Sequence, residues 1–198
     1  MTRIIGITGG IGSGKSTLSN YIKKTGYLVH DSDKVVSSIY KNPKKNFIKF
    51  IKKCGLEKAL KNNKINKKII TSEIFNNHEL KKKFENYIHK EVKEQRKKFI
   101  KKNLNKKTKA IFVDVPLLFE NKLDEEFDLV VCVVATKKNR IKRVLNDKKF
   151  SKTLINKIIK TQTTDRVRRE RASIILTNNK TKKDFIFRTQ KALISILK

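Results

Sequence analysis

Residues 6–22 read GITGGIGSGKSTLSNYI. Five glycines are followed at once by Lys15 and the hydroxyls Ser16 and Thr17. The apolar run Ile4-Ile5-Gly6-Ile7 leads in as a buried strand over Ile4–Thr8. Leu18, Tyr21 and Ile22 mark one side of a helix from Lys15 to about Lys24, which Gly26 ends. Gly9-Gly10-Ile11-Gly12-Ser13-Gly14-Lys15-Ser16 fits G-x-x-x-x-G-K-[ST], the Walker A loop. Glycines admit positive φ, so backbone N–H groups can turn inward around phosphate oxygens. The positive end of the following helix points at the same oxygens. Lys15 is placed for the β- and γ-phosphates and Ser16 for Mg²⁺. Residues Gly9 to Thr17 therefore read as a nucleoside triphosphate site, with ATP the expected ligand.

Outward from the loop, strands alternate with helices. Tyr27–His30 reads as a second strand, stopped by Asp31-Ser32-Asp33, and Lys34–Tyr40 as a helix broken by Asn42-Pro43. From Lys44 to Asn103 the periodicity is helical throughout, with polar breaks at Asn62-Asn63 and Asn76-Asn77. Ala110–Val113, ending at Asp114, Leu129–Val134 and Ala172–Leu176 complete five strands. Helices are expected over Lys137–Leu145, Leu154–Ile159 with Ser151 as cap, and Phe185–Leu197. This alternation implies a parallel sheet covered on both faces, with residues 41–107 as a helical insertion.

The bulk composition narrows the class. The 198 residues suit one α/β domain with an insertion. No apolar run approaches the ~18–20 residues of a membrane span, and the early strand leaves no room for a signal peptide. Two cysteines without a CxxC pattern, Cys54 and Cys132, argue against a disulfide framework or zinc site and fit a reducing cytoplasm. The net charge of +32 raises the question of nucleic acid. The excess lysine is spread along nearly the whole chain and mixed with Asn and Ile, a composition that A/T-rich genomes favour. Residues 41–109 alone carry 24 Lys+Arg against 6 Glu. This reads as a solvated face rather than a dedicated nucleic-acid surface, although a chain this basic binds DNA weakly at low salt in any case.

A triphosphate site leaves several enzyme classes open. No N-K-x-D base-reading motif follows a later strand, which argues against a GTPase. A short core, a helical insertion and a basic segment near the end are the layout of a small-molecule kinase. Asp31 and Asp33 follow the second strand at the carboxyl edge, where a doubly wound sheet binds its ligands. Asp33 is the candidate general base for an attacking hydroxyl, while Asp31 positions the acceptor or supports the metal shell. Both residues also suit helix capping. Asp114, ending an apolar strand, is placed like a Walker B carboxylate for Mg²⁺. Arginine replaces lysine as the enriched cation between Arg140 and Arg171, where Arg143, Arg166, Arg168 and Arg169 also lie. Planar guanidinium suits phosphate and adenine. His89 sits beside Ile88 on the long helical pattern, where periodicity alone gives a structural role.

Taken together these residues resemble the dephospho-coenzyme A kinase family over essentially the whole chain. The extended loop from Gly6 to Ser16, Asp31-Ser32-Asp33, and Asp114-Val115-Pro116-Leu117-Leu118-Phe119-Glu120 are similar to its signatures, and Gln162, Arg168 and Asn178 align with its lid-side residues. The match departs at His89-Lys90, where the family has His-Pro, and at Asn146, Ala172-Ser173 and Asn178-Asn179-Lys180. The resemblance implies a P-loop kinase fold with a five-stranded parallel sheet, a helical acceptor-binding insertion and a short lid. The core comprises residues 1–40, 108–136 and 171–198; the lid comprises 137–170. It implies transfer of the ATP γ-phosphate to the ribose 3′-hydroxyl of dephospho-coenzyme A. Lys15, Asp33 and Arg140 are then catalytic, Arg140 and Arg168 bind ATP, and Ser16 and Asp114 serve Mg²⁺. Asp31, Asp33, His89 and Asp114 face the acceptor. No membrane or specific nucleic-acid partner is expected, and the chain is expected to be a monomer or weak homo-oligomer. The rival readings are another nucleoside or nucleotide kinase, or a nucleic-acid-binding ATPase.

Overall fold

In a computed structural model, the lead-in to the glycine stretch forms β1 (Arg3–Gly9), the middle strand of a parallel sheet. The structure describes residues 1–62, 64–104, 108–147 and 150–198. Asn63 of the expected Asn62-Asn63 break, residues 105–107 of the expected insertion and residues 148–149 of the expected lid lie outside these. The chain folds into two compact units, residues 1–31 with 100–198, and residues 32–99.

The first unit holds the sheet, in the order β2 (Leu28–Asp31), β5 (Ala110–Asp114), β1, β6 (Leu129–Val134), β7 (Ile174–Thr177). Every pairing in it is parallel. Its helices are α1 (Lys15–Lys24), α6 (Lys137–Asn146), α7 (Lys152–Thr161), α8 (Asp165–Arg171) and α9 (Lys182–Leu197). Successive side chains of a strand point to opposite faces, and β6 follows this rule. Val131 and Val133 pack with Leu18 and Ile22 of α1 and with Phe185 and Leu193 of α9. Val130, Cys132 and Val134 pack with Val113, Leu118 and Phe119. Burying each such side chain contributes about 1.5–3 kcal/mol, more than helix or strand propensities, which are under about 1 kcal/mol per residue. Packing therefore fixes the register that brings Asp31 opposite Asp114.

The second unit is mainly helical: α2 (Ser32–Lys41), α3 (Lys45–Lys53), α4 (Lys67–Asn76) and most of α5 (His78–Leu104). Phe47, Phe50, Phe84 and Tyr87 form its aromatic centre, with Phe50 and Tyr87 stacked at 4.4 Å between centroids. The expectation of helix throughout does not hold here. Leu60–Lys61 and Lys64–Ile65 pair antiparallel as β3 and β4, and Asn62 takes a φ of 49°. Asparagine enters this left-handed region more readily than most residues, so Asn62 leaves the helical path where the expected helix gives way to paired strands.

Several element boundaries differ from the sequence reading, and one helix is new. β2 runs through Asp31, and α2 begins at Ser32 with no intervening loop. The last strand begins at Ile174 rather than Ala172. The helix Asp165–Arg171 was not expected, because DRVRRER contains a single apolar residue, Val167. No helix among the described residues is long and apolar enough to cross a membrane.

Candidate active site

The loop between β1 and α1 takes its shape from glycine. Gly14, the N-cap of α1, has φ 105°, and Gly12 has φ 71°. Both lie where an L side chain is strained. A Cβ on Gly12 would also lie 2.5 Å from the Arg140 carbonyl oxygen and 2.8 Å from Val144. Gly12→Ala is expected to weaken binding of a non-hydrolysable ATP analogue about tenfold or more, equivalent to about 1.4 kcal/mol. It should lower the melting midpoint by about 2–4 °C for each kcal/mol lost. Calorimetric titration and thermal unfolding check both outcomes.

The start of α1 is left open. No side chain caps it and no acidic residue lies in its first turn. By contrast Thr136, Ser151, Thr164 and Thr181 cap α6, α7, α8 and α9 with their hydroxyls. An uncapped helix start keeps its N–H groups and positive dipole end for an anion.

The loop carbonyls are tied down from α6. Arg140 Nε donates to the Ile11 carbonyl at 2.9 Å. Arg143 Nη1 donates to the carbonyls of Gly12 and Ser13 at 3.4 and 3.3 Å. Its Nη2 donates to the backbone and side-chain oxygens of Asn178 at 2.8 and 3.2 Å. Asn178 Nδ2 returns a bond to the Ser13 carbonyl at 2.8 Å. Gln162 Oε1 accepts from the Ile11 N–H at 3.0 Å and from Arg140 Nη2 at 3.1 Å. Planar, multidentate guanidinium achieves this where an ammonium would not.

At the carboxyl edge of the sheet, Asp114 is 4% exposed and needs partners, because a buried carboxylate left alone is costly. Lys15 Nζ forms an ion pair with its Oδ1. Ser19 Oγ donates to its Oδ2 at 2.6 Å. One turn on, Lys23 Nζ lies 3.2 Å from Oδ2 of Asp31. Lys15, Ser19 and Lys23 follow at four-residue spacing, so a single face of α1 meets both carboxylates.

Beside the loop, Arg140 and Arg168 are 5% and 3% exposed. Arg168 Nη1 donates to Asp165 Oδ1 at 2.8 Å, and its Nη2 lies 3.5 Å from Glu120 Oε1. The same Glu120 oxygen accepts the Thr163 N–H at 2.8 Å. Arg140 Nη1 lies 3.6 Å from Asp165 Oδ1. Burial pushes the Arg140 guanidinium below its ordinary value, and Arg168 adds to this, while Asp165 opposes it. Arginine stays protonated regardless. Burial also pushes the Cys132 thiol up to about 12, which leaves it an inert core residue.

A family model described as Dephospho-CoA kinase matches residues 3–184. The chain belongs to the dephospho-CoA kinase family. A dephospho-CoA kinase of Fusobacterium nucleatum is 35% identical over 190 residues, covering 95% of each chain. One of Streptococcus pneumoniae strain R6 is 31% identical over 179 residues, covering 90% of this chain and 89% of the other. Among solved structures, the dephospho-CoA kinase from Campylobacter jejuni aligns with TM-score 0.76 at 27% identity, covering 100% of this chain and 98% of its own. TT1252 from Thermus thermophilus aligns with TM-score 0.82 at 26% identity and the same coverage. The shikimate kinase from Acinetobacter baumannii, 15% identical with TM-score 0.51 over 100% of this chain and 94% of its own, shares the fold. The P-loop kinase fold and five-stranded parallel sheet expected from the sequence are the ones observed.

Within this dephospho-CoA kinase family member, the first unit brings together Gly9 to Thr17, Asp31, Asp114, Arg140 and Arg168. Ser16 is exposed and Thr17 half-buried. Asp33 and His89 belong to the second unit. Asp33 is exposed in the first turn of α2, two residues beyond the end of β2. His89 is exposed on α5 beside the buried Ile88. Asp165 and Ser19 escaped sequence reading. For Asp165 the available signal was its place just after the capping Thr164; for Ser19 it was the four-residue spacing from Lys15.

Proposed function

We propose that this chain transfers the γ-phosphate of ATP to the ribose 3′-hydroxyl of dephospho-coenzyme A. Membership of the dephospho-CoA kinase family makes it an ATP-dependent phosphotransferase of coenzyme A biosynthesis. The observation that carries the reading is Lys15 joined to Asp114 beside an uncapped helix start, on loop carbonyls already held by arginine. Phosphate oxygens then meet backbone amides and the Lys15 ammonium, and no acidic residue lies in the first turn of α1.

The roles follow from chemistry. Lys15 shifts from Asp114 to the β- and γ-phosphates and stabilises charge as it develops. Asp33 accepts the proton of the 3′-hydroxyl and orients that oxygen for attack at phosphorus; the bond to the bridging β–γ oxygen breaks and ADP leaves. Its place two residues after Asp31 supports the role. Asp31, held by Lys23, and His89 serve the acceptor. Arg140 and Arg168 belong to the lid, residues 137–170, on the ATP side, and residues 1–40, 108–136 and 171–198 are the core. Each guanidinium carries five N–H donors, so contact with phosphate adds to its present bonds to Asp165, Gln162 or Glu120. Residues 41–107 are the acceptor-binding insertion.

The residues present also fit Mg²⁺. The described residues hold no cluster of three or more His, Cys, Asp or Glu that would cage a metal. Mg²⁺ usually needs only one or two protein carboxylates together with substrate phosphates and water. The Asp114 carboxylate and the exposed Ser16 hydroxyl supply hard oxygen donors of that kind. When bound, Mg²⁺ would offset charge on the phosphate oxygens.

The deciding experiment mixes protein, ATP and Mg²⁺ with each candidate acceptor and measures ADP. Release that depends on dephospho-coenzyme A is expected. Release stimulated only by another nucleoside, or by DNA or RNA, overturns the reading. The surface charge is tested separately. Changing exposed Lys82 and Lys98 to Gln is expected to leave turnover at physiological salt within about twofold, since exposed charges are screened beyond roughly 8 Å. A large loss would assign the basic face a function.

A further inference from the structure

Ser19 lies outside the loop motif, one turn into α1, and is 2% exposed. Its hydroxyl has one proton, and an ionised carboxylate can only accept. The 2.6 Å contact therefore fixes the direction of the bond, from Ser19 Oγ to Asp114 Oδ2. The other oxygen of the same carboxylate holds Lys15. These two anchors differ in what happens during turnover. Lys15 is the cation the phosphates need, so its bond to Asp114 is the one that must give way. Ser19 has no such second task.

The face of α1 that carries Ser19 also treats the two neighbouring carboxylates differently. Asp31 and Asp114 are register partners on β2 and β5. Asp31 receives the cation Lys23, which offsets its charge. Asp114 receives a neutral hydroxyl on one oxygen. A neutral donor orients a carboxylate without cancelling its negative charge, whereas a second lysine at position 19 would cancel it. Ser19 therefore leaves Asp114 both oriented and negative once Lys15 moves away, as a cation-binding oxygen must be.

We propose that Ser19 is a positioning residue: it locks the Asp114 carboxylate by its Oδ2, so that Oδ1 is presented to the Mg²⁺ of the nucleotide complex when Lys15 transfers to phosphate. This rests on the role given to Asp114 above. Hydrogen-bond partners that orient a metal-binding carboxylate are typically worth about 10–100-fold in metal affinity or activity. The effect belongs to Mg²⁺ and not to the nucleotide itself.

The test compares Ser19→Thr with Ser19→Val, which match in shape and differ only in the hydroxyl. A non-hydrolysable β,γ-imido analogue of ATP is titrated calorimetrically onto each protein at stepped Mg²⁺ concentrations, with no acceptor present. Affinity without Mg²⁺ is expected to be alike in parent and variants. The Mg²⁺ concentration that gives half of the full enhancement should rise about 10–100-fold in Ser19→Val and stay near the parent value in Ser19→Thr. If Ser19→Val does not fold, Ser19→Ala takes its place against Ser19→Thr. Equal Mg²⁺ midpoints with and without the hydroxyl overturn the proposal, as does a parent protein whose nucleotide binding ignores Mg²⁺. A merely structural role would lower the thermal midpoint or the Mg²⁺-free affinity and leave the Mg²⁺ midpoint in place. Because no acceptor enters the titration, failure here is distinct from failure of the dephospho-coenzyme A assignment.

Discussion

Asp33→Asn is expected to lower kcat by about 10²–10⁴-fold, the usual contribution of a positioned general base. Asparagine keeps the size of the side chain and an acceptor oxygen in the first turn of α2, but it cannot take a proton. The substitution therefore separates the two roles open to Asp33 in the first turn of α2. As a base, Asp33 is needed for chemistry, and ATP-analogue affinity should change little while kcat collapses. As a first-turn helix residue alone it takes no part in the chemistry, and kcat should be unchanged. Steady-state kinetics with saturating ATP and dephospho-coenzyme A, alongside calorimetric binding of the analogue, distinguishes these outcomes. Because Asp33 is exposed, little change in melting midpoint is expected.

Lys15→Ala is expected to reduce transfer by at least about 10²–10³-fold, the loss that follows removal of one preorganised donor to a developing charge. The structure adds a second consequence. Asp114 is buried, and both Lys15 and Ser19 bind its carboxylate. Breaking a buried pair from one side costs up to about 3–5 kcal/mol, but the Ser19 bond remains. The variant should stay folded, with a reduced melting midpoint and a near-ultraviolet circular dichroism spectrum like the parent's. A folded variant that still transfers phosphate would remove Lys15 from the mechanism. An unfolded one would show that the ion pair to Asp114 is chiefly structural.

The parts of this molecule legible in the sequence are those where one local rule acts alone. Strand-loop-helix from Arg3 to Lys24 has apolar periodicity on both sides of a glycine run, and every signal agrees. Leu129–Val134 is apolar throughout, and Ser151 caps its helix as its residue type suggests. The missed elements are those that show no apolar period. The helix Asp165–Arg171 has no apolar face; it is fixed by the Thr164 cap and by the buried Arg168 bonded to Asp165 and Glu120. The hairpin at Leu60–Ile65 has strands of only two residues each, too short for any period to show. At the site, the glycine loop and Asp114 were visible because their chemistry dictates residue type. The grip of Arg143 on Gly12, Ser13 and Asn178 was not, because it links positions far apart along the chain.

That grip also has a hereditary consequence. From an AGA or AGG codon, the step from arginine to lysine is a single-nucleotide change. At Arg166, which stands in open water, the step costs almost nothing. At Arg143 one ammonium cannot span both the glycine turn and Asn178, so the same step leaves oxygens unanswered. The two positions carry the same residue type, yet only at Arg143 does the fold depend on the shape of the guanidinium.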